Sequence, residues 1–152
     1  MLCVHPLVAA GVPDRVCDEP ALADAGVRSV LHATGARLVA AVATRDDPPL
    51  EPADAALLAL CGLPPDADPP DAIPTGSVDA VDRLADEVAR RIDVLVPLRT
   101  LLRRRAEVLA DPGWIEIRFD LDDVSTDLRR AGLDLDPGYL PWLGVVMRFT
   151  YG

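Results

Sequence analysis

The chain has 152 residues, a length that suits one domain, and half of its residues are apolar, which is enough for a packed core. Its formal net charge of -10 at pH 7 argues against a nucleic-acid backbone or an anionic membrane as the main partner.

The first third of the chain predicts helices and one central strand. Residues 2–4 predict a short strand. Asp18 can cap a helix that ends at Gly35, and a hairpin that turns at Gly35 is the alternative. The apolar run over residues 37–44 has the length of a strand that is buried on both faces.

A proline-rich connector then divides the chain. Residues 53–61 predict a helix that is closed by Gly62. Residues 63–76 contain five prolines, which exclude a helix and favour extended backbone. We expect one domain over residues 1–152. In it the connector is a flexible arm or a subdomain boundary between a part rich in Ala, Val and Leu and a part that contains every aromatic residue.

The strongest helical signal follows the connector. Ser77 is a strong N-cap, and apolar residues recur at helical spacing over residues 78–95. Pro97 is expected to kink or split this helix, because proline lacks a backbone donor and clashes with the preceding turn. The helix is expected to resume over residues 98–109 with an arginine-rich face.

The last third predicts a strand, a helix and a strand. Residues 114–121 alternate apolar and charged side chains, which is typical of a half-exposed strand. A short helix follows, capped by Asp122 or Asp123 and closed by Gly132, and residues 145–151 form the final strand. The side chains expected to face the core are Ile115, Ile117, Phe119, Leu121, Val124, Leu128 and Ala131.

These elements predict an α/β chain of the α+β kind. A small sheet of three to four strands packs against a long kinked helix and shorter helices. The strand–helix–strand unit is a right-handed crossover if its two strands are parallel.

One segment suggests an enzymatic alternative. Residues 119–126 resemble the nucleophile motif of haloacid-dehalogenase-type phosphatases, in which an apolar strand ends in Asp-x-Asp. The resemblance implies that Asp120 attacks phosphorus and that Asp122 acts as acid and base beside Mg²⁺. The chain has no Lys, which the family requires, and Glu116 and Arg118 make one face of the strand polar. A turn whose aspartates begin a helix is therefore the favoured interpretation.

Other chemistry has little support in the sequence. The N-terminal region contains two cysteines and two histidines whose spacing does not match a zinc site. They are Cys3, His5, Cys17 and His32. Cys61 is expected in the core. We therefore expect no catalytic residue, no cofactor and no metal.

Two groups of side chains are candidates for binding another protein. Four arginines concentrate positive charge after Pro97, and arginine is enriched at interfaces. They are Arg99, Arg103, Arg104 and Arg105. Tyr139 and Trp142 lie in an apolar segment that is broken by proline, and they either cover the core or form an exposed anchor.

The C-terminal residues 133–152, with the strand and helix that begin at Trp114, resemble the ends of small accessory domains of bacterial ternary conflict systems. Such domains are encoded beside a MoxR-type or FtsH-type AAA+ ATPase and a von Willebrand A or β-propeller protein. The resemblance implies a non-catalytic component whose partners include the ATPase or the von Willebrand A protein.

The sequence thus favours a non-catalytic interaction module that binds other proteins, with homo-oligomers also possible. The apolar stretch over residues 7–12 is too short for a secretory signal, and no apolar run approaches the roughly 20 residues that cross a bilayer. A cytoplasmic location without a membrane or nucleic-acid partner is expected.

Overall fold

The N-terminal two thirds of the chain are helical in the computed structural model, which describes residues 2–152. The helices that precede the sheet are α1 (Val4–Ala9), α2 (Val12–Asp18), α3 (Pro20–Ala23), α4 (Val27–Val42), α5 (Ala55–Leu60), α6 (Val78–Leu95) and α7 (Leu98–Leu102). The strand predicted at residues 2–4 is wrong, because Leu2 and Cys3 form a buried turn that leads into α1.

Helix α4 takes the place of two predicted elements. The helix predicted to end at Gly35 is broken earlier, at Gly26, whose φ of 76° and ψ of 154° suit glycine. The second helix then continues through Gly35, so the hairpin there and the strand at residues 37–44 are both wrong. A Cβ atom at Gly35 would lie 2.9 Å from the Cδ2 atoms of Leu57 and Leu60. This glycine therefore permits close approach of α5.

The helix before the connector and the non-helical backbone of residues 63–74 follow the prediction, whereas Thr75 and Gly76 already belong to a 3-10 turn. The helix predicted over residues 53–61 is α5, and Asp54 caps it by accepting two backbone N–H bonds. Gly62 closes it with a φ of 70°. Residues 63–74 contain no helix, and Ile73 packs against the core.

Helix α6 begins at the predicted place. Ser77 makes no capping bond, because it belongs to a 3-10 turn whose backbone is already helical. Pro97 splits the helical region, since Val96 before it is extended at a φ of -150°. The helix predicted over residues 98–109 ends after five residues, and residues 106–111 instead pair as a strand with the segment that follows.

The sheet contains the strands β1 (Ala106–Asp111), β2 (Trp114–Phe119), β3 (Gly138–Leu140) and β4 (Val145–Tyr151). Its order is β1-β2-β4-β3. β2 and β4 are parallel and are connected through α8 (Thr126–Arg130), so the predicted strand–helix–strand unit is confirmed. β1 and β3 are antiparallel to their neighbours. The α+β class with a small sheet and a long helix is confirmed, and β3 was not predicted.

The end of β2 differs from the prediction in detail. The predicted core residues that are buried are Ile115, Ile117, Phe119 and Leu128. Leu121 and Val124 are 62% and 44% exposed, because the strand ends before them and the chain enters a 3-10 turn. Asp120 caps this turn and Ser125 caps α8, in place of residues 122–123.

One hydrophobic core joins the helices to the sheet. It includes Leu31 of α4, Leu84 of α6, Ile117 of β2 and Met147 of β4, all of which are buried. Within residues 2–152, no helix is both long enough and apolar enough to cross a bilayer.

Candidate protein-binding site

The four predicted arginines do not share one face. The chain changes from α7 to β1 across them, so consecutive side chains point in different directions. Arg99 and Arg105 are exposed, and Arg103 forms an ion pair with Asp47. Arg104 turns inward. The predicted arginine-rich helix face is therefore wrong, because α7 ends before three of the four residues.

Arg104 occupies an unusual environment. Its guanidinium carbon lies 5.5 Å from the centroid of the Phe119 ring, a cation–π contact. Its Nε and Nη2 atoms are buried and have no hydrogen-bond partner among residues 2–152. A buried donor without a partner costs about 1–3 kcal/mol, and more when the group is charged. Arg104 therefore has two buried donor atoms for which residues 2–152 provide no hydrogen-bond acceptor.

The charge of Arg104 also reaches Tyr151. Burial raises the pKa of the Tyr151 hydroxyl above its ordinary value of 10.0, and the nearby Asp134 raises it further. Arg104 acts in the opposite direction on that pKa. Tyr151 in turn packs on Phe119, with 5.6 Å between the ring centroids. The arginine thus lies on the aromatic cluster at the end of the central strands.

A cavity of about 390 Å³ lies beside Arg104. The start of α5, the end of α7 and the first half of β1 surround it. Its wall is formed in part by Leu101, Leu102, Arg104, Ala106, Val108 and Phe119. Asp54 also lines the cavity, and one of its carboxylate oxygens accepts N–H bonds from Ala56 and Leu57. The cavity is mainly apolar, with Arg104 and Arg105 as its cations.

The outer edge of β1 is free. The two-residue turn between β1 and β2 closes on Asp111 and Trp114, a pair that such turns join by a hydrogen bond. Bonded and non-bonded pairs alternate along an antiparallel ladder, so the N–H and C=O groups of Ala106, Val108 and Ala110 point away from β2. No other backbone group in the described part of the chain bonds to them.

The predicted aromatic anchor is divided between two environments. Tyr139 lies on β3, at the opposite edge of the sheet, and is 64% exposed. Trp142 is partly buried and packs against the core. It lines a shallow cavity of about 380 Å³ with Gly26 and Arg28, before and in the first turn of α4. Trp142 thus packs against the core, and of the two aromatic residues only Tyr139 is exposed.

An apolar groove lies between α1 and the end of α6. Its cavity of about 360 Å³ is lined by Pro6, Ala9, Val94, Leu95 and Leu133, among others. Val94 is 84% exposed and Leu95 is 51% exposed, although the spacing predicts that Leu95 faces the core. Both side chains lie at the C-terminal end of α6, where no other element of the described chain covers them.

The aspartates of the phosphatase-like motif lie in the turn after β2. An Oδ1 oxygen of Asp120 accepts the N–H of Asp122 at 3.0 Å, as a turn cap does. No three His, Cys, Asp or Glu side chains in residues 2–152 are grouped so that they could hold a metal ion. This hydrogen bond gives Asp120 a structural role as the cap of the turn.

The two histidines and Cys61 have structural contacts. Nε2 of His5 and Nε2 of His32 lie 2.8 Å and 2.7 Å from backbone carbonyl oxygens of Leu135 and Pro52. Cys61 is buried as predicted, and burial raises the pKa of its thiol to about 12. A thiol with this pKa stays protonated at neutral pH and is a poor nucleophile.

The edge of β1 and the cavity beside Arg104 form the candidate site. Sequence reasoning found Arg104 but missed β1, because it extended the helix into residues 106–109. The Asp-Pro-Gly turn before a predicted strand is a hairpin signal that could have identified β1. The chain matches no protein-family model, and no match is found among curated proteins or solved structures.

Proposed function

We propose that this chain is a non-catalytic protein-interaction module that binds an extended segment of another protein along the free edge of β1. The observation that carries the proposal is the combination of an unpaired strand edge with an adjoining apolar cavity. An added strand gains main-chain hydrogen bonds from the edge, and its alternate side chains gain contacts in the cavity.

The two edges of the sheet differ in a way that supports this choice. Native proteins protect sheet edges with very short strands, with prolines or with inward-pointing charges. β3 has only three residues and so offers little edge. β1 has six residues, and its inner-face side chains are those of Ala106, Val108 and Ala110. β1 therefore offers a longer edge whose inner face carries no charge.

We also propose a cellular setting for the module. The resemblance of residues 114–152 to accessory domains of bacterial ternary systems supports a cytoplasmic component of such a system. An AAA+ ATPase or a von Willebrand A protein would then supply the extended segment. The net charge of -10 favours a protein partner over a nucleic acid.

The test uses a library of random heptapeptides displayed inside a long flexible linker, so that no free terminus lies near the peptide. Peptides selected on the purified chain are then measured against two double variants. Ala106→Pro with Ala110→Pro removes two outward N–H donors and leaves the bonds to β2 in place. Ala106→Ser with Ala110→Ser is the matched control, because it keeps both donors.

We expect the proline variant to bind the selected peptides at least about tenfold more weakly than the serine variant, from the loss of two hydrogen bonds. Unfolding curves must first show that both variants fold. Equal affinity for the two variants would contradict the proposal, and so would a library that yields no binder. A concentration-dependent dimer that the proline variant abolishes would show that a second copy occupies the edge, which would also contradict it.

A further inference from the structure

We infer that the bound segment presents a glutamate side chain to Arg104. This inference rests on the proposed function, because it names the chemistry of the segment that occupies the β1 edge. The guanidinium of Arg104 would form a paired hydrogen bond and ion pair with the glutamate carboxylate in the cavity beside the strand.

The unpaired donors of Arg104 identify the chemistry. Nε–H and Nη2–H lie on one edge of the guanidinium group, with a spacing that matches the two oxygens of a carboxylate. Both atoms are buried and have no hydrogen-bond partner among residues 2–152. Arg104 lines the cavity, and binding would require its side chain to rotate so that this edge faces a ligand there. A carboxylate would then supply the acceptors that the folded chain does not.

The register of the sheet places a side chain, and not a peptide terminus, within reach of Arg104. Ala106 of β1 lies opposite Phe119 of β2, the residue over which Arg104 is held. Neighbouring strands lie about 4.8 Å apart, so a segment on the outer edge is about two strand spacings from Phe119. The terminal carboxylate of a segment paired along this edge would lie near the plane of the sheet. A glutamate that points to the inner face extends over the small Ala106 toward the guanidinium.

The other charges around the cavity permit this ligand. Asp54 is the carboxylate that lines the cavity, and its Oδ1 oxygen already accepts the N–H groups of Ala56 and Leu57. Arg105 adds a second positive charge to the wall. The local balance of two arginines and one aspartate is positive, whereas the whole chain is strongly negative. The site is thus a local exception that favours an acidic side chain.

The experiment compares selections on the wild-type chain and on the Arg104→Met variant, with Arg105→Met as the matched control. Selected peptides that contain glutamate are then synthesised with both termini blocked, together with versions that carry glutamine in its place. A further version has a free C-terminal carboxylate and glutamine at the same position. Affinities are measured by calorimetry for every pair.

We expect glutamate at one inward-facing position of the peptides selected on the wild type, and about tenfold weaker binding of the glutamine peptide. In Arg104→Met the two peptides should bind equally, while Arg105→Met should keep most of the difference. The free terminus should not restore affinity to the glutamine peptide.

The failures of the two proposals are distinguishable. The selected peptides could show no acidic preference and still bind the proline variant of β1 more weakly than the serine variant. That result would overturn this inference and leave the edge-binding function in place. A glutamate preference that persists in Arg104→Met would also overturn it, as would full rescue by the free terminus. Selected peptides that are insensitive to the proline variant would contradict both proposals.

Discussion

Replacement of Arg104 by methionine should make the chain more stable. The substitution removes a charged group with two buried N–H donors that lack partners, which recovers about 1–3 kcal/mol. It also loses the cation–π contact with Phe119, about 0.5–2 kcal/mol. The methionine sulfur can pack against the same ring and restores about 0.3–1.5 kcal/mol. Together these ranges predict a net gain of about 1–2 kcal/mol.

The gain is measured by urea unfolding, followed by the fluorescence of Trp114 and Trp142. A gain of about 1 kcal/mol corresponds to a rise in Tm of about 2–4 °C for a chain of this size. Arg105→Met is the matched control and should change stability by less than about 0.5 kcal/mol, since Arg105 is exposed. A loss of 1 kcal/mol or more in Arg104→Met, with an unchanged slope against urea, would refute the reasoning. It would show that Arg104 is a structural anchor and not a donor held for a ligand.

Three further predictions concern the fold. Gly26→Ala should lower the free energy of unfolding by about 1–3 kcal/mol, because only glycine suits the backbone angles there. Gly76→Ala, at a position with open space for a Cβ atom, is the control, and equal losses in thermal unfolding would contradict this account. The pKa of Cys61 is raised from 9.0 to about 12, so its contribution to stability is complete below pH 9 and is lost as pH rises toward 12. In urea unfolding across this pH range, the free energy of unfolding of the wild type should decline as pH rises. The decline should be shallower in Cys61→Ala by up to about 1.4 kcal/mol per pH unit. Parallel curves for the two proteins would be inconsistent with burial of the thiol. Asp54→Ala should cost about 1 kcal/mol in urea unfolding through loss of the α5 cap, and an unchanged midpoint would show that the two cap bonds contribute nothing.

Periodic patterns predicted much of the fold. The alternation over residues 114–121 and the apolar run over 145–151 correspond to β2 and β4, because their side chains alternate between the core and the solvent. The apolar stripe over residues 78–95 corresponds to α6. In these segments the burial that the fold requires agrees with the local sequence pattern.

Tertiary contacts determine the segments that the sequence did not predict. Residues 37–44 have a composition that suits a strand or a buried helix, and the approach of α5 at Gly35 selects the helix. Residues 106–109 have an ordinary helical composition, but pairing with β2 makes them a strand. The candidate site shares this difficulty. Arg104 differs from the other arginines in its contact with Phe119, and that contact is apparent only once the position of β2 is known.

The central claim is that a protein segment adds to the free edge of β1. Residue-resolved amide hydrogen exchange, with and without a selected peptide, tests it most directly. The outward amides of Ala106, Val108 and Ala110 should exchange rapidly in the free chain and at least about tenfold more slowly in the complex. Amides of β1 that already bond to β2 should change little. Unchanged exchange at the three outward amides, with new protection along α1 and α6, would contradict the claim and place the bound segment in the apolar groove.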